Sequence, residues 1–256
     1  MLLAIDIGNT HTVCGVWSHD MWRAIWRRAT AQSDTEDELA AWLRAMFDLS
    51  EIPWEVDRVI CGSVVPRRDA TWAMLGEKWL RAPVDFLRTG SEVGLAVDYD
   101  PPHAVGADRI ANALGALDRF KPPIIVVDFG TATTFDSIDA NGTYVGGAIL
   151  PGVTLSSEAL FDKAAKLPTV PYVAPATALG RNTVHSLQSG IMLGYAGAID
   201  ALAEGISEEL GGNVKVIATG GLGPLFVGLC KTIESYEPTL TLDGLVIASD
   251  RLNKQG

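Results

Sequence analysis

The sequence predicts a duplicated α/β architecture, two mixed-sheet lobes with a cleft between them, and three observations predict it. A phrase occurs twice: Leu2-Leu3-Ala4-Ile5 runs into Asp6-Ile7-Gly8-Asn9-Thr10, and Ile124-Ile125-Val126-Val127 runs into Asp128-Phe129-Gly130-Thr131-Ala132-Thr133-Thr134. Each copy is an apolar run ending in Asp, followed by a hydrophobe, a Gly and small polar residues. The copies stand almost half the chain apart, and Lys121-Pro122-Pro123 supplies a break just before the second. A hydrophobic share of 48% over 256 residues is ample for two cores. The expected lobes are 1–120 and 121–256.

Each element has its own signal. Leu2 to Ile7 is nearly all apolar, the pattern of a strand buried on both faces. Thr12 to Trp17 and Trp22 to Trp26 alternate and continue it as an antiparallel meander. Thr35 with Glu38 forms a capping box, in which the Thr hydroxyl and the Glu carboxylate each satisfy an N–H at the helix start. Leu39, Trp42, Leu43, Met46 and Phe47 then recur at helical spacing. Val56 to Val65 reads as a buried strand, Ala70 to Leu80 as a helix and Val84 to Leu87 as a short strand. Ala107 to Phe120 reads as a helix with Ile110, Ala113, Leu114 and Leu117 on one face.

The second half repeats the opening. Strands are expected at Ile124 to Asp128, Thr133 to Ile138 and Thr143 to Leu150, with an Asn141-Gly142 turn joining the last two. A long helix from Asn182 to Leu210, a strand from Val214 to Thr219 closed by Gly220-Gly221, and a final helix from Leu242 to Leu252 complete the chain. Three strands, a helix, a strand, a helix and a strand, twice over, is the order of a duplicated ribonuclease H-like fold. All seven Trp lie at or before Trp79. The two lobes therefore share a topology but not a core.

Composition narrows the function. A formal net charge of −11 argues against a general nucleic-acid or anionic-membrane binder. An anionic substrate would have to be held by backbone N–H groups, a few Arg and bound cations against the average field. No apolar run approaches the roughly 18 residues of a membrane-spanning helix. The N-terminal run lacks the basic start of a signal peptide, so a cytoplasmic protein is expected. Cys14, Cys61 and Cys230 are far apart, with no CxxC, and fit buried free thiols. The four His show no ligand spacing.

The chemistry sits in the turns. A strand that ends in a Gly turn can aim successive N–H groups outward, and small side chains let phosphate oxygens come close. Asp at the strand end can hold Mg²⁺, which prefers one or two carboxylates plus phosphates. One such turn alone is equally a hairpin whose Asp and Asn satisfy backbone groups. Two copies at half-chain separation point to phosphate binding. Gly106-Ala107-Asp108-Arg109 opens a helix, where Asp108 either complements the helix dipole or orients and deprotonates a substrate hydroxyl beside Arg109. Gly220-Gly221-Leu222-Gly223 follows a strand and suits either an adenine ring or a plain turn. It is not a dinucleotide fingerprint, because Phe226 stands where the third Gly belongs.

Four motifs then occur in series over essentially the whole chain: Asp6 to Thr10, Tyr99 with Pro102 before Gly106 to Arg109, Asp128 to Thr134, and Gly146-Gly147-Ala148-Ile149-Leu150-Pro151-Gly152. Together they resemble the type III pantothenate kinases, of the acetate and sugar kinase, heat-shock chaperone and actin superfamily. The resemblance implies phosphorylation of pantothenate by ATP to 4′-phosphopantothenate, the first step of coenzyme A synthesis. It implies ATP contacts from Asp6, Ile7, Gly8, Asn9, Thr10, His11, Thr12, Val13 and Thr131, His11 through its backbone. Tyr99, Gly106, Ala107, Asp108, Arg109 and Thr183 would contact pantothenate, with Asp108 as general base. Asp128 would bind the monovalent cation, K⁺ or NH₄⁺, needed beside Mg²⁺. A homodimer with the substrate pocket at the subunit interface is also implied.

Two alternatives remain at this stage. One is a non-catalytic nucleotide-binding regulator with a kinase-like fold. The intact set Asp6, Asp108, Arg109, Asp128 and Thr183 speaks against it. The other is a superfamily kinase for a different small hydroxy acid or sugar, which fold alone does not exclude. A single Arg beside Asp108 suits a carboxylate better than a sugar.

Overall fold

The computed structural model describes residues 1–164 and 166–254. Its packing forms two compact units, one of Met1–Asp118 with the chain from Leu240 onward, the other of Arg119–Thr239.

The first unit opens with β1 (Leu2–Ile7), β2 (His11–Ser18) and β3 (Met21–Ala29), followed by α1 (Glu36–Leu49), β4 (Arg58–Ser63), α2 (Pro66–Leu75), β5 (Val84–Leu87) and α3 (Ala107–Arg119). The strands line up as β3-β2-β1-β4-β5. β1 is antiparallel to β2 and parallel to β4, so Asp6 stands between Val13 and Gly62 at the sheet's centre. The Thr35–Glu38 capping box forms as its residues require. α2 begins four residues before the expected Ala70, with Pro66 in its first turn, where a missing N–H costs nothing. A π turn, Gly76–Leu80, extends it. Phe47 lies between Trp26 (5.2 Å) and Trp54 (5.0 Å), and Trp72 is wholly buried. The Trp-rich third of the sequence thus builds this core.

The second unit contains β6 (Ile124–Phe129), β7 (Ala132–Ile138), β8 (Tyr144–Gly146), β9 (Ile149–Pro151) and α4 (Val153–Lys163). Next comes α5 (Thr183–Gln188), joined by a π turn at Ser189–Leu193 to α6 (Gly194–Glu209), then β10 (Lys215–Thr219), α7 (Gly223–Phe226) and β11 (Ser235–Tyr236). Its sheet runs β11-β10-β6-β7-β8, with β9 also paired to β7. Taken from the other edge, this is the order of the first unit. The earliest strand is central, antiparallel neighbours lie to one side and parallel ones to the other. The core rests on Phe129 stacked against Phe226 at 5.2 Å, with Tyr195 on Phe226 at the same distance.

Two expectations are corrected and one helix is unforeseen. Thr143 to Leu150 is not one strand. Gly146 and Gly147 take φ of 112° and 150°, and a β-carbon at Gly147 would lie 1.7 Å from the Phe135 carbonyl oxygen. The chain must bulge there. α4 is a helix that no apolar stripe announces, since Leu155 and Leu160 are 51% and 41% exposed. The last helix, α8 (Leu240–Asn253), packs on the first unit rather than with 121–239. β-carbons at Gly244 and Gly115 would lie 1.8 Å from the Ala111 carbonyl oxygen and 2.5 Å from that of Leu240, so α3 and α8 touch backbone to backbone. The Thr241 hydroxyl donates to buried Asn112 Oδ1 at 2.7 Å, and Trp22 Nε1 to Asp243 Oδ1 at the same distance.

Gly244→Ala should therefore destabilise the first unit by about 1–3 kcal/mol, the range for overpacking a tight contact. All tryptophans belong to that unit, so their fluorescence in a denaturant titration reads the effect directly. An unchanged midpoint would mean that α8 does not hold the first unit together.

Candidate active site

In the first unit the turn after β1 is shaped by its glycine. Gly8 N–H donates to the His11 carbonyl at 3.0 Å, and a β-carbon at Gly8 would sit 2.9 Å from that oxygen. Asp6 is half-buried at the strand end, Ile7 and Thr12 are buried, Gly8 and Val13 lie between, and Asn9, Thr10 and His11 are exposed. Only Asn9 to His11 thus present themselves to solvent as a loop, with Gly8 beside them.

Asp108 comes to the same end of this sheet. Val64, directly after β4, donates its N–H to the Ile7 carbonyl at 3.1 Å. A β-carbon on Gly62, Asp6's parallel neighbour, would lie 3.8 Å from that of Ala107 and 3.0 Å from Leu245 Cδ2. The first turn of α3 therefore rests on the strand ends that carry the Asp6 loop. A β-carbon on Gly106 would lie 2.5 Å from Asp108 Oδ1 and 3.5 Å from Val64 Cγ1. Gly106 thus leaves the space the carboxylate occupies. Asp108 Oδ1 accepts the Arg109 N–H at 2.8 Å. Burial pushes its carboxyl above the usual Asp range, opposed by that hydrogen bond and by the Arg109 charge. Arg109 is itself buried at 8% exposure, and Tyr99 is half-buried.

The second unit repeats the device. Gly130 N–H donates to the Ala132 carbonyl at 3.0 Å, and Gly152 N–H to the Thr131 carbonyl at 3.1 Å. A β-carbon at Gly152 would lie 2.3 Å from that carbonyl oxygen, which explains the Gly at the end of the Gly146–Gly152 motif. Asp128 stands between Thr134 on β7 and Thr219 on β10. Gly220, at φ 86°, admits the Asp128 carboxylate, for a β-carbon there would fall 2.4 Å from Oδ1. Thr183 is exposed in the first turn of α5, capped by Asn182, whose side chain accepts the His185 N–H at 2.9 Å.

Sequence reasoning missed three supporting residues. Thr30 braces the Asp6 loop: its hydroxyl donates to the Gly8 carbonyl (2.8 Å) and its N–H to that of Thr10 (2.9 Å). The Tyr195 hydroxyl donates to the Pro151 carbonyl (2.9 Å) and lies 2.8 Å from Thr133 Oγ1. Gly220, whose sequence context suits an adenine ring or a plain turn, instead seats the Asp128 carboxylate. None carries a motif signal, because each acts on a carbonyl or carboxylate distant in sequence.

Among the described residues no three His, Cys, Asp or Glu converge as a metal cage. Mg²⁺ takes one or two carboxylates together with phosphates, and Asp6 and Asp128 each offer one carboxylate at a strand end. The three free thiols are buried, and burial raises all of them, Cys230 to about 12. They are not nucleophiles at neutral pH. No helix among the described residues is long and apolar enough to cross a membrane.

Comparison with known proteins decides the family. The family model described as type III pantothenate kinase matches residues 2–205. The type III pantothenate kinase of Koribacter versatilis is 43% identical over 262 residues, covering 98% of this chain and 96% of that one. The chain belongs to the type III pantothenate kinase family. It is accordingly an enzyme of the kinase class. Among solved structures, a conserved putative Baf family transcriptional activator from Campylobacter jejuni aligns with a TM-score of 0.65 at 18% identity, over 98% of this chain and 99% of that one. MreB 5 of Spiroplasma citri aligns at 0.51 and 12%, over 99% and 96%. At such identities the likeness is one of fold. It agrees with the two matching sheets in making this kinase a duplicated ribonuclease H-like, actin-like structure.

Tyr195→Phe removes the bond to Pro151 and the Thr133 contact, and should cost the second unit about 0.5–1.5 kcal/mol. That unit has no tryptophan, so far-ultraviolet circular dichroism is the measurement, and unaltered unfolding would deny Tyr195 its bracing role.

Proposed function

We propose that this kinase phosphorylates the primary hydroxyl of pantothenate with ATP, yielding 4′-phosphopantothenate and ADP, the first step of coenzyme A synthesis. Family membership supports the substrate. The observation that carries the chemistry lies within the first unit: a Gly-turn strand end and a burial-raised carboxyl at the start of α3 meet at one end of one sheet.

Asp108 is the base in this reading. The substrate hydroxyl oxygen attacks the γ-phosphorus, the bond to the β,γ-bridging oxygen breaks, and the hydroxyl proton passes to the Asp108 carboxylate. Asp in water, with a pKa of about 3.9, is a poor acceptor for an alcohol proton. Two factors offset this. The proton leaves late in a loose phosphoryl-transfer transition state, so positioning counts for more than basicity. Burial also brings the carboxyl nearer to a useful strength. Gly106 and the Arg109 N–H hold the carboxylate in place. Arg109 balances the carboxylate of pantothenate, with Tyr99, Gly106, Ala107 and Thr183 as further contacts.

The nucleotide is assigned to Asp6, Ile7, Gly8, Asn9, Thr10, His11, Thr12 and Val13, and to Thr131 in the second unit. Exposed Asn9 to His11 suit phosphate oxygens, His11 through its backbone. Mg²⁺ would neutralise charge on the phosphates, with Asp6 the carboxylate to hold it. A monovalent cation, K⁺ or NH₄⁺, is assigned to Asp128. The active form is a homodimer in this reading, which size-exclusion chromatography with light scattering tests. A cytoplasmic location accompanies the assignment.

A coupled ADP assay with pantothenate, with and without K⁺, tests the whole reading. Tight ATP binding without turnover would favour the regulator instead. Asp108→Asn should lower kcat by about 10²–10⁴-fold, the usual share of a general base, while ATP still binds. Gly106→Ala, which displaces the carboxylate without removing it, should cost about 10²-fold. Near-full activity of Asp108→Asn would reduce Asp108 to a helix-start residue.

The pH profile follows from the sign of the shift. A carboxyl raised by burial stays protonated to higher pH, so the base is lost as pH falls through this raised value. The acid limb of kcat/KM should lie above the ordinary Asp value of about 3.9, and Asp108→Asn should abolish it. An acid limb at or below that value would contradict the assignment.

A further inference from the structure

Thr30 directly follows β3 (Met21–Ala29) and carries no motif, yet it makes three hydrogen bonds to the Asp6 loop. Its hydroxyl donates to the Gly8 carbonyl at 2.8 Å. That hydroxyl has one proton, so the 2.9 Å contact with Thr12 Oγ1 must run the other way, with Thr12 donating. Thr30 N–H donates to the Thr10 carbonyl at 2.9 Å.

These bonds orient more than oxygens. A trans peptide is planar and holds its N–H opposite its carbonyl. Fixing the Gly8 and Thr10 carbonyls toward Thr30 turns the N–H groups of Asn9 and His11 to the opposite side. Those two residues are exposed, whereas Thr12 is only 2% exposed. Thr30 is itself anchored. Arg68, 5% exposed, donates through Nη1 to the carbonyls of Gln32 (3.2 Å) and Asp34 (2.9 Å). Arg28 pairs with the Asp34 carboxylate. The segment after β3 is thus tied down from beneath, and Thr30 transmits that rigidity to the loop.

We propose that Thr30 is a positioning residue for nucleotide binding: it presets the peptide planes at 8–9 and 10–11 so that their N–H groups face the phosphates. The proposal rests on the assignment of this loop to ATP. It predicts a specific loss of ATP affinity, because an unbraced loop must be ordered when the nucleotide arrives. Pantothenate recognition is left alone.

The test compares wild type with Thr30→Val, Thr30→Ala and Thr30→Ser in steady-state kinetics, and measures binding of a non-hydrolysable ATP analogue by calorimetry. Thermal melts establish that each variant is folded. Thr30→Val should raise KM for ATP and weaken analogue binding by about tenfold, the equivalent of one lost hydrogen bond. KM for pantothenate should stay within about twofold of wild type, since a positioning effect on ATP is not uniform. Thr30→Ser retains the hydroxyl and should restore ATP affinity. Should Thr30→Val lose its cooperative melt, Thr30→Ala, which sets no methyl against the Gly8 carbonyl, carries the same expectation.

ATP affinity unchanged in a folded Val or Ala variant overturns the proposal while leaving the loop's assignment intact. Equal losses for ATP and pantothenate overturn it too, as a general structural defect. Wild type that turns over pantothenate yet is unaffected by disrupting the loop through Gly8→Val would overturn the assignment beneath it.

Discussion

Two missing β-carbons govern the acidic ends of both units. Gly106 leaves room for the Asp108 carboxylate and Gly220 for that of Asp128, with a hypothetical β-carbon 2.5 Å and 2.4 Å from the respective oxygens. A carboxylate kept beside a backbone, rather than in open water, has its position set by packing and its charge disfavoured by burial. Asp108 shows both consequences, in its contact with the Arg109 N–H and in its raised carboxyl. Catalysis by a weak base depends on this kind of placement. The same principle extends to carbonyls, where Gly8 and Gly152 allow the turns of the two units to close on themselves.

Duplication has preserved hydrogen-bonded backbone and discarded side-chain detail. Both sheets place the first strand of their unit centrally, antiparallel on one side and parallel on the other. Both carry Asp next to last in that strand and turn through a Gly whose N–H is donated back to the chain. The cores have nothing in common. Trp26, Phe47, Trp54 and Trp72 fill one, and Phe129, Tyr195 and Phe226 the other. Packing tolerates many solutions of the right volume, while a ladder of hydrogen bonds tolerates few. The supports of the two loops differ accordingly, a threonine after the third strand in one and a tyrosine from a long helix in the other.

Charge enters locally. A protein of net charge −11 repels a polyphosphate on average, so recognition has to be short-ranged. Backbone N–H groups fixed by neighbouring donors add no mobile charge and need no reorganisation as the ligand binds. Arg28 and Arg68 are not spare cations, for they hold the segment that carries Thr30.

Much of this was legible in the order of residues. Apolar runs ending in Asp-hydrophobe-Gly mark the central strands, since burial on both faces demands continuous hydrophobes and the turn demands a glycine. The Thr35–Glu38 capping box is likewise local chemistry. Less visible were α4, whose leucines are half in water, the bulge at Gly146-Gly147, and the attachment of α8. That attachment rests on Gly115 and Gly244 meeting carbonyls across more than a hundred residues, which no periodicity announces. Sequence alone determined the repeated topology, the candidate acidic residues and the family resemblance, because these depend on local pattern and residue type. Only tertiary structure decided that Asp108 is half-buried beside the Asp6 strand, that Thr30 braces the loop, and that the chain's last helix returns to the first unit. Those facts depend on distances between segments that the linear order leaves open.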